Sequence, residues 1–295
     1  MTNQRNYRLV KKIKDRSRFN IENLEHYILS LQVGSNDFQI CVTDSRDNRG
    51  LLLEDYVFEN IDSIEAQIEE LQHIFDEHHL LLANFWKTVR LSLKNKKFAL
   101  IPTELYDQNK ASDYIKYTAE LNNEEEELKT RKLSSIDAIV IFVVNKRLTS
   151  FFHSIYPNLE VEFLHQSSAL IKGLLEYNTV SDRRTMFLYV DRFQLHILVK
   201  SGSELNFYNS FPIRSFSDYV RYITIIAKDL HLNIEEDTVF IWGYLSETSD
   251  RYKELNKYIK YLQLGTPPKE INLGYQFDEI PDHHYYDLYS IHRCD

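Results

Sequence analysis

The chain has 295 residues, enough for two domains, and a formal net charge of −9. Apolar residues make up 43% of it, which excludes wholesale disorder, and its seven glycines exclude collagen-like and glycine-rich architectures. Its two cysteines cannot build a disulfide framework or a cysteine-based zinc site, and no apolar run is long enough to span a membrane.

Residues 1–20 form a basic segment in an otherwise acidic chain. We predict either a frayed tail or an arm that docks on an acidic partner or a phosphate backbone. The acidic remainder of the chain disfavours nucleic acid, so any nucleic-acid contact is expected through this arm alone. No apolar stretch follows the positive charges, so we predict no secretory signal and expect a cytoplasmic location. The basic residues of the arm are Arg5, Arg8, Lys11, Lys12, Lys14, Arg16 and Arg18.

Residues 21–180 are predicted to form a first lobe that opens with three strands joined by short turns. A helix with a capping-box pattern starts at Asp62, and strands and helices alternate after it. The charged run 122–132 is predicted to be a surface loop or a solvated helix end, with an acidic binding site as the alternative. The predicted strands are residues 26–33, 37–44, 51–58, 88–94, 98–102, 137–144 and 160–165, and the later helices are 103–121, 146–155 and 167–177.

Residues 181–295 repeat the same order and are predicted to form a second lobe. Ser215 or Ser217 caps the helix that follows the three opening strands. The last thirty residues are predicted to be a loose, aromatic-rich tail, which either packs back on its own lobe or forms a protein interface. The predicted strands are residues 185–190, 193–200, 205–211, 238–242 and 260–264, and a further helix is predicted at 247–258.

This twofold order resembles the actin, hexokinase and sugar-kinase superfamily. In more detail, from Leu24 onward the chain resembles an uncharacterised bacterial family of cytoplasmic proteins with a degenerate actin-like ATPase fold. The resemblance implies an α/β fold of two similar actin-like ATPase (ribonuclease H-like) lobes. Each lobe would contain a mixed sheet opened by a three-strand meander.

The resemblance also implies three nucleotide loops, and this sequence departs from the pattern in each. Active members carry Asp-x-Gly after the first strand of each lobe, for the metal and for close approach of the backbone to phosphate. In the first lobe the stretch keeps Gly34 but has Gln32 in place of the carboxylate. In the second lobe it keeps Asp191 but has Phe193 in place of the glycine. The third loop, with paired glycines in active members, has only Gly243 between two aromatic residues.

Phosphoryl transfer needs charge neutralisation and close positioning, so these departures predict a pseudo-ATPase without a cofactor that acts by binding an unidentified protein. The alternatives are a divergent ATPase or kinase that uses ATP and magnesium, and an RNA- or ribosome-associated factor that uses the basic arm. The adjacent pairs His78–His79 and His283–His284 are poor metal chelates. Cys41 is predicted to be a packed thiol, and Cys294 to be exposed and inert.

Overall fold

Two sheets built on the two strand meanders organise the computed structural model, which describes residues 5–179, 184–192 and 194–294. The chain divides into two compact units. Unit 1 contains Met1–Ala169, Glu270–Glu279 and Asp287–Asp295, and unit 2 contains Leu170–Lys269 and Ile280–Tyr286. The predicted lobe boundary at 180/181 falls outside the described residues and stays a prediction.

Unit 1 contains a six-stranded mixed sheet in the order β1-β4-β3-β2-β5-β9. The meander β2-β3-β4 is antiparallel, whereas β5 and β9 run parallel to β2, as expected for strands joined through helices. The strands of the sheet are β1 (Tyr7–Lys14), β2 (Tyr27–Val33), β3 (Asp37–Asp44), β4 (Arg49–Phe58), β5 (Thr88–Leu93) and β9 (Val161–His165).

The helices of unit 1 follow the predicted apolar periodicity in most places. Ser63, one residue after the predicted start, caps α1 by accepting a hydrogen bond from the backbone N–H of Ala66 at 3.2 Å. Leu71, Ile74 and Phe75 lie on the buried face of α1. The helices are α1 (Ile64–Glu77), α2 (Ala111–Lys116), α3 (Lys146–Ile155) and α4 (Gln166–Glu176), the last of which continues into unit 2.

A three-stranded antiparallel sheet in unit 1 has no counterpart in the described part of unit 2. The predicted helix 103–121 is wrong: the segment forms two short 3-10 turns and the six-residue α2, whose Ile115 fills the small core. The predicted loop at 122–132 is wrong from residue 126 onward, because residues 126–132 pair along the apolar central strand as part of an edge strand. The strands, in the order β6-β8-β7, are β6 (Phe98–Pro102), β7 (Glu126–Leu133) and β8 (Ala138–Asn145).

Unit 2 repeats the main sheet of unit 1 in the order β12-β11-β10-β13-β14. Its three opening strands again form an antiparallel meander, and the later two run parallel to β10. Ser215 begins the first helix, as predicted, and its backbone N–H donates to the Asp218 carboxylate at 2.9 Å. The elements are β10 (Thr185–Val190), β11 (Gln194–Ser201), β12 (Glu204–Pro212), α5 (Phe216–Asp229), β13 (Val239–Gly243), α6 (Asp250–Leu255), which is shorter than predicted, and β14 (Leu262–Leu264).

The basic segment is part of unit 1, which corrects the prediction of a tail or free arm. Seven of its residues pair with β4 in an antiparallel register, and Ile13 is buried. Charged side chains are typical of edge strands, where they discourage pairing with other chains. The composition therefore reflects an edge strand, β1, and Met1–Gln4 lie outside the described residues.

The C-terminal segment is packed, as one predicted alternative had it, but it is not loose, and Glu270–Glu279 and Asp287–Asp295 belong to unit 1 rather than to the second lobe. Leu288 and Ile291, in and after α7 (Tyr286–Ser290), are fully buried. The Arg90 guanidinium donates to the backbone carbonyls of Ile291 and His292 at 3.2 and 2.6 Å. Cys294, predicted to be exposed, is buried with this segment.

Candidate functional site

The strand β2 places the first predicted site residue, Gln32, inside unit 1. The side chain is fully buried, and its amide nitrogen donates to the Ser92 hydroxyl at 3.4 Å. Its amide oxygen has no hydrogen-bond partner among the described residues. A neutral amide thus occupies the position where the resemblance implies a carboxylate, and it brings no charge to hold a divalent cation.

Because Gly34 has no side chain, the carboxylate of Asp37 can lie directly against its backbone. A Cβ atom at Gly34 would lie 2.3 Å from Oδ1 of Asp37, whose other oxygen pairs with the Lys94 ammonium at 2.9 Å. Both charged side chains are almost fully buried, and the Gly34 carbonyl accepts a hydrogen bond from Gln67 at 2.5 Å. The glycine is therefore explained by an internal ion pair that the sequence analysis missed, since Asp37 and Lys94 are distant in sequence.

Asp191 follows β10 and is also mostly buried. Its backbone N–H donates to the Gln194 carbonyl at 2.9 Å, and its carboxylate accepts from the backbone N–H of Arg192 at 2.8 Å. The carboxylate thus takes part in the local turn. Phe193 lies outside the described residues, so its place in the second loop, where the resemblance implies a glycine, stays a prediction.

Gly243 ends β13 at the point where this strand meets β10. Its φ of +101° belongs to the region that favours glycine, and a Cβ atom would lie 2.0 Å from the Val190 carbonyl oxygen. The same oxygen accepts a hydrogen bond from the backbone N–H of Tyr244 at 2.8 Å. Close approach of two strands of the chain therefore accounts for this glycine.

Trp242, the residue before Gly243, is fully buried in an aromatic cluster of unit 2. Its indole N–H donates to the Thr266 carbonyl at 2.9 Å, and its ring occupies the space that a side chain at Gly265 would take. Trp242 thus belongs to the core. Its ring neighbours are Tyr177, Phe187, Phe240 and Tyr286.

An aromatic cap, formed by Arg192, Tyr244, His284 and Tyr285, lies beside the carboxyl ends of β10 and β13. The Arg192 guanidinium lies 4.5 Å from the centroid of the Tyr244 ring, and this ring contacts the rings of His284 and Tyr285 at 5.7 and 5.8 Å. The backbone carbonyl of the neighbouring His283 accepts from the N–H of Gly243 at 2.8 Å. In parallel sheets this edge is where ligands usually bind. In unit 2, the residues of the aromatic cap cover this edge of the sheet.

The basic residues of the first segment are mostly paired with acids of unit 1. Four of them make ion pairs, whereas Lys14, Arg16 and Arg18 have no acidic partner in the described ranges. The ion pairs are Arg5–Glu77, Arg8–Glu59, Lys11–Glu279 and Lys12–Glu54.

Among the described residues no group of three side chains could hold a metal ion, and no helix has the length and apolarity that a membrane crossing needs.

Comparisons with known proteins agree with this architecture. A protein from Bacteroides thetaiotaomicron VPI-5482, described as having an actin-like ATPase fold and unknown function, is 20% identical, with a TM-score of 0.79 over 94% of this chain and 99% of its own. A chain of the PilM–PilN type IV pilus biogenesis complex is 12% identical, with a TM-score of 0.59 over 90% of this chain and 98% of its own. A search of curated proteins found no significant match.

A family model described as "Protein of unknown function (DUF3822)" matches residues 16–262. The predicted actin-like α/β fold and the predicted family resemblance are confirmed.

Proposed function

The chain belongs to this family of unknown function, and we propose that it is a non-catalytic protein of actin-like fold that acts by binding another protein. The observation that carries the proposal is the aromatic cap, because it covers the ends of β10 and β13 with the chain's own side chains. The buried amide of Gln32 and the internal Asp37–Lys94 ion pair support it from unit 1. Catalysis of phosphoryl transfer needs a bound metal and close approach to phosphate, which these loops do not favour.

A groove between α1 and α3 supports the protein-binding half of the proposal. It has a volume of about 730 Å³, and Ile68 and Phe151 supply its apolar floor. A chain that matches this fold is part of the PilM–PilN complex, so the fold serves within a protein complex there. We propose that the groove receives a helical segment of a partner protein, since an apolar stripe on a helix fits an apolar groove.

The charged side chains at the rim of the groove indicate which charge the partner segment carries. Arg147 pairs with Glu65, and the Lys146 ammonium donates to two backbone carbonyls at 2.7 and 3.2 Å. On the α1 side, Glu69 and Asp76 are exposed and make no ion pair with a described residue. Two acidic residues and one lysine of the rim thus have no ion-pair partner, and the rim carries one net negative charge, so the partner segment carries Lys or Arg beside its apolar residues.

The first test measures magnesium-dependent release of phosphate from ATP by the purified chain. We expect the same rate from the wild type, from the Gln32→Ala variant and from a protein-free blank. A wild-type rate clearly above that of Gln32→Ala would contradict the non-catalytic assignment and favour a divergent ATPase.

The second test concerns the groove and uses partner capture with three versions of the chain. The rim variant is Glu69→Lys with Asp76→Lys, and the matched control is Glu104→Lys with Glu120→Lys, which makes the same charge change at exposed positions of unit 1. We expect a protein that the wild type and the control retain and the rim variant loses. Equal retention by all three would contradict the groove, and retention of nothing would contradict protein binding.

A further inference from the structure

A second pocket of unit 1 opens beside β1, and none of its lining residues belongs to the three loops described above. Its volume is about 470 Å³. The loop after β1, the strand β4 and the end of α1 contribute its walls. The lining residues are Lys12, Lys14, Arg16, Phe19, Leu52, Glu54, His78 and Leu80.

An ion pair between Glu54 and Lys12 lines this pocket. The Glu54 carboxylate is fully buried and accepts hydrogen bonds from Tyr56 at 2.6 Å and from His78 at 3.1 Å. The Lys12 ammonium lies 2.7 Å from it and balances its charge. Glu54 and Lys12 together therefore contribute no net charge to the pocket.

Two further cations at the pocket are not balanced. The Lys14 ammonium lies over the Phe19 ring, 4.1 Å from its centroid, and makes no ion pair with a described residue. The Arg16 side chain likewise has no acidic partner in the described part of the chain. Lys14 and Arg16 thus give the pocket two positive charges that no acidic residue of the described chain offsets, although the whole chain carries −9. Such a local excess in an acidic protein indicates an anionic ligand.

Apolar side chains complete the pocket and restrict the ligand further. Phe19, Leu52 and Leu80 line it beside the cations, and Leu52 is almost fully buried. A phosphate monoester carries a charge between about −1.5 and −2 at neutral pH, which matches two uncompensated cations. We propose that this pocket binds a small phosphate monoester, with the phosphate on Lys14 and Arg16 and an apolar or aromatic body against Phe19 and the two leucines.

This proposal is independent of partner binding in the groove between α1 and α3, and its test does not involve that groove. Calorimetric titration of the full chain with phenyl phosphate, at low salt and without phosphate in the buffer, measures binding directly. Lys14→Gln with Arg16→Gln should weaken binding about ten-fold or more, because both cations contact the phosphate. The matched control, Lys96→Gln with Lys110→Gln, removes two positive charges from exposed positions of the same unit and should leave binding unchanged.

Three probes separate the contribution of the phosphate group from that of the apolar body of the ligand. Phenyl phosphate should bind more tightly than inorganic phosphate, because of the apolar wall, and more tightly than benzoate, because of its second negative charge. Equal binding by the pocket variant and the control variant would overturn the site. Inorganic phosphate binding as tightly as phenyl phosphate, or a single-stranded oligonucleotide binding more tightly than either, would overturn the proposed ligand class.

Discussion

At the scale of single residues, Gly243 offers the sharpest test of the loop geometry. Gly243→Ala should lower the free energy of unfolding by about 3 kcal/mol, because the new Cβ would meet the Val190 carbonyl at 2.0 Å. Gly202→Ala is the matched control, since Gly202 also has a positive φ, of +56°, but has nothing within 4 Å of the added atom. It should cost about 1 kcal/mol or less. Urea denaturation of both variants measures the difference, and equal losses would contradict the steric explanation.

Glu54 should make the stability of the protein depend on acid pH. Burial disfavours its ionised form, but hydrogen bonds from His78, Lys12 and Tyr56 outweigh burial and lower the pKa of Glu54 from 4.5 to about 2. Because the folded pKa is the lower one, the carboxylate stabilises the fold above pH 4.5, and this stabilisation is lost as the pH falls toward 2. By pH 3 the loss should be about 2 kcal/mol.

The measurement for Glu54 is the free energy of unfolding from pH 6 to pH 3 in three proteins. Glu54→Gln should lack this part of the pH dependence. Glu69→Gln, an exposed glutamate without an ion pair in the described structure, should keep the wild-type profile. A Glu54→Gln profile parallel to that of the wild type would show that Glu54 is not the group responsible.

Sequence reasoning identified several positions at this scale but not the contacts that explain them. Gln32, Gly34 and Gly243 were singled out because a carboxylate or a second glycine is missing near them. At Gly34, an added Cβ atom would meet Asp37, which forms an ion pair with Lys94. At Gly243, it would meet a backbone carbonyl of another strand. Both depend on strands that meet only in the folded chain, so local pattern could not reveal them.

At the scale of secondary-structure elements, β1 should stabilise the protein mainly through its strand pairing with β4. Its charged side chains should contribute little. Deleting residues 1–14 removes seven paired positions along β4 and the buried Ile13. We expect a loss of about 3 kcal/mol or more, which lowers Tm by at least about 6 °C. Arg8→Gln with Lys11→Gln keeps the strand but removes two partly exposed ion pairs, and it should change stability by less than about 1 kcal/mol. An unchanged Tm after the deletion would mean that the segment behaves as a tail.

The elements that were predicted well are those in which one local signal dominates. The two meanders show alternating or continuous apolar residues between turn-forming residues, and both form as predicted. By contrast, β1 and β7 are charged edge strands. The neighbour of β1 in its sheet, β4, is distant in the sequence, whereas β8 follows β7 closely, so for β7 it was the charged composition that suggested a loop.

At the scale of the whole molecule, the two units should differ in their ability to form from a single stretch of chain. A fragment of residues 166–286 contains all of unit 2 and should unfold cooperatively in urea. A fragment of residues 1–178 lacks Glu270–Glu279 and Asp287–Asp295, which belong to unit 1. It should show no cooperative transition, because the buried Leu288 and Ile291 are missing. Cooperative unfolding of the longer fragment with native-like stability would contradict this expectation.

The twofold organisation of the molecule was predictable because the order of elements repeats within the sequence. The return of the chain to unit 1 was not predictable, because Pro267, Pro268 and Pro281 pointed to a loose segment. The structure shows instead that Asp287 accepts a hydrogen bond from Gln166 at 2.7 Å between two buried side chains. Neither residue carries a local signal that identifies its partner.

The return of the chain to unit 1 also has a consequence for biosynthesis. Translation releases the strands of the first sheet early, but Asp287–Asp295 emerge from the ribosome only after all of unit 2 has been made. At about 5–20 residues per second, roughly a hundred intervening residues take on the order of 5–20 seconds to synthesise. During that interval the sites that Leu288 and Ile291 later fill have no cover from their own chain. The nascent protein therefore exposes an apolar surface that chaperones recognise, and the unit begun first is completed last.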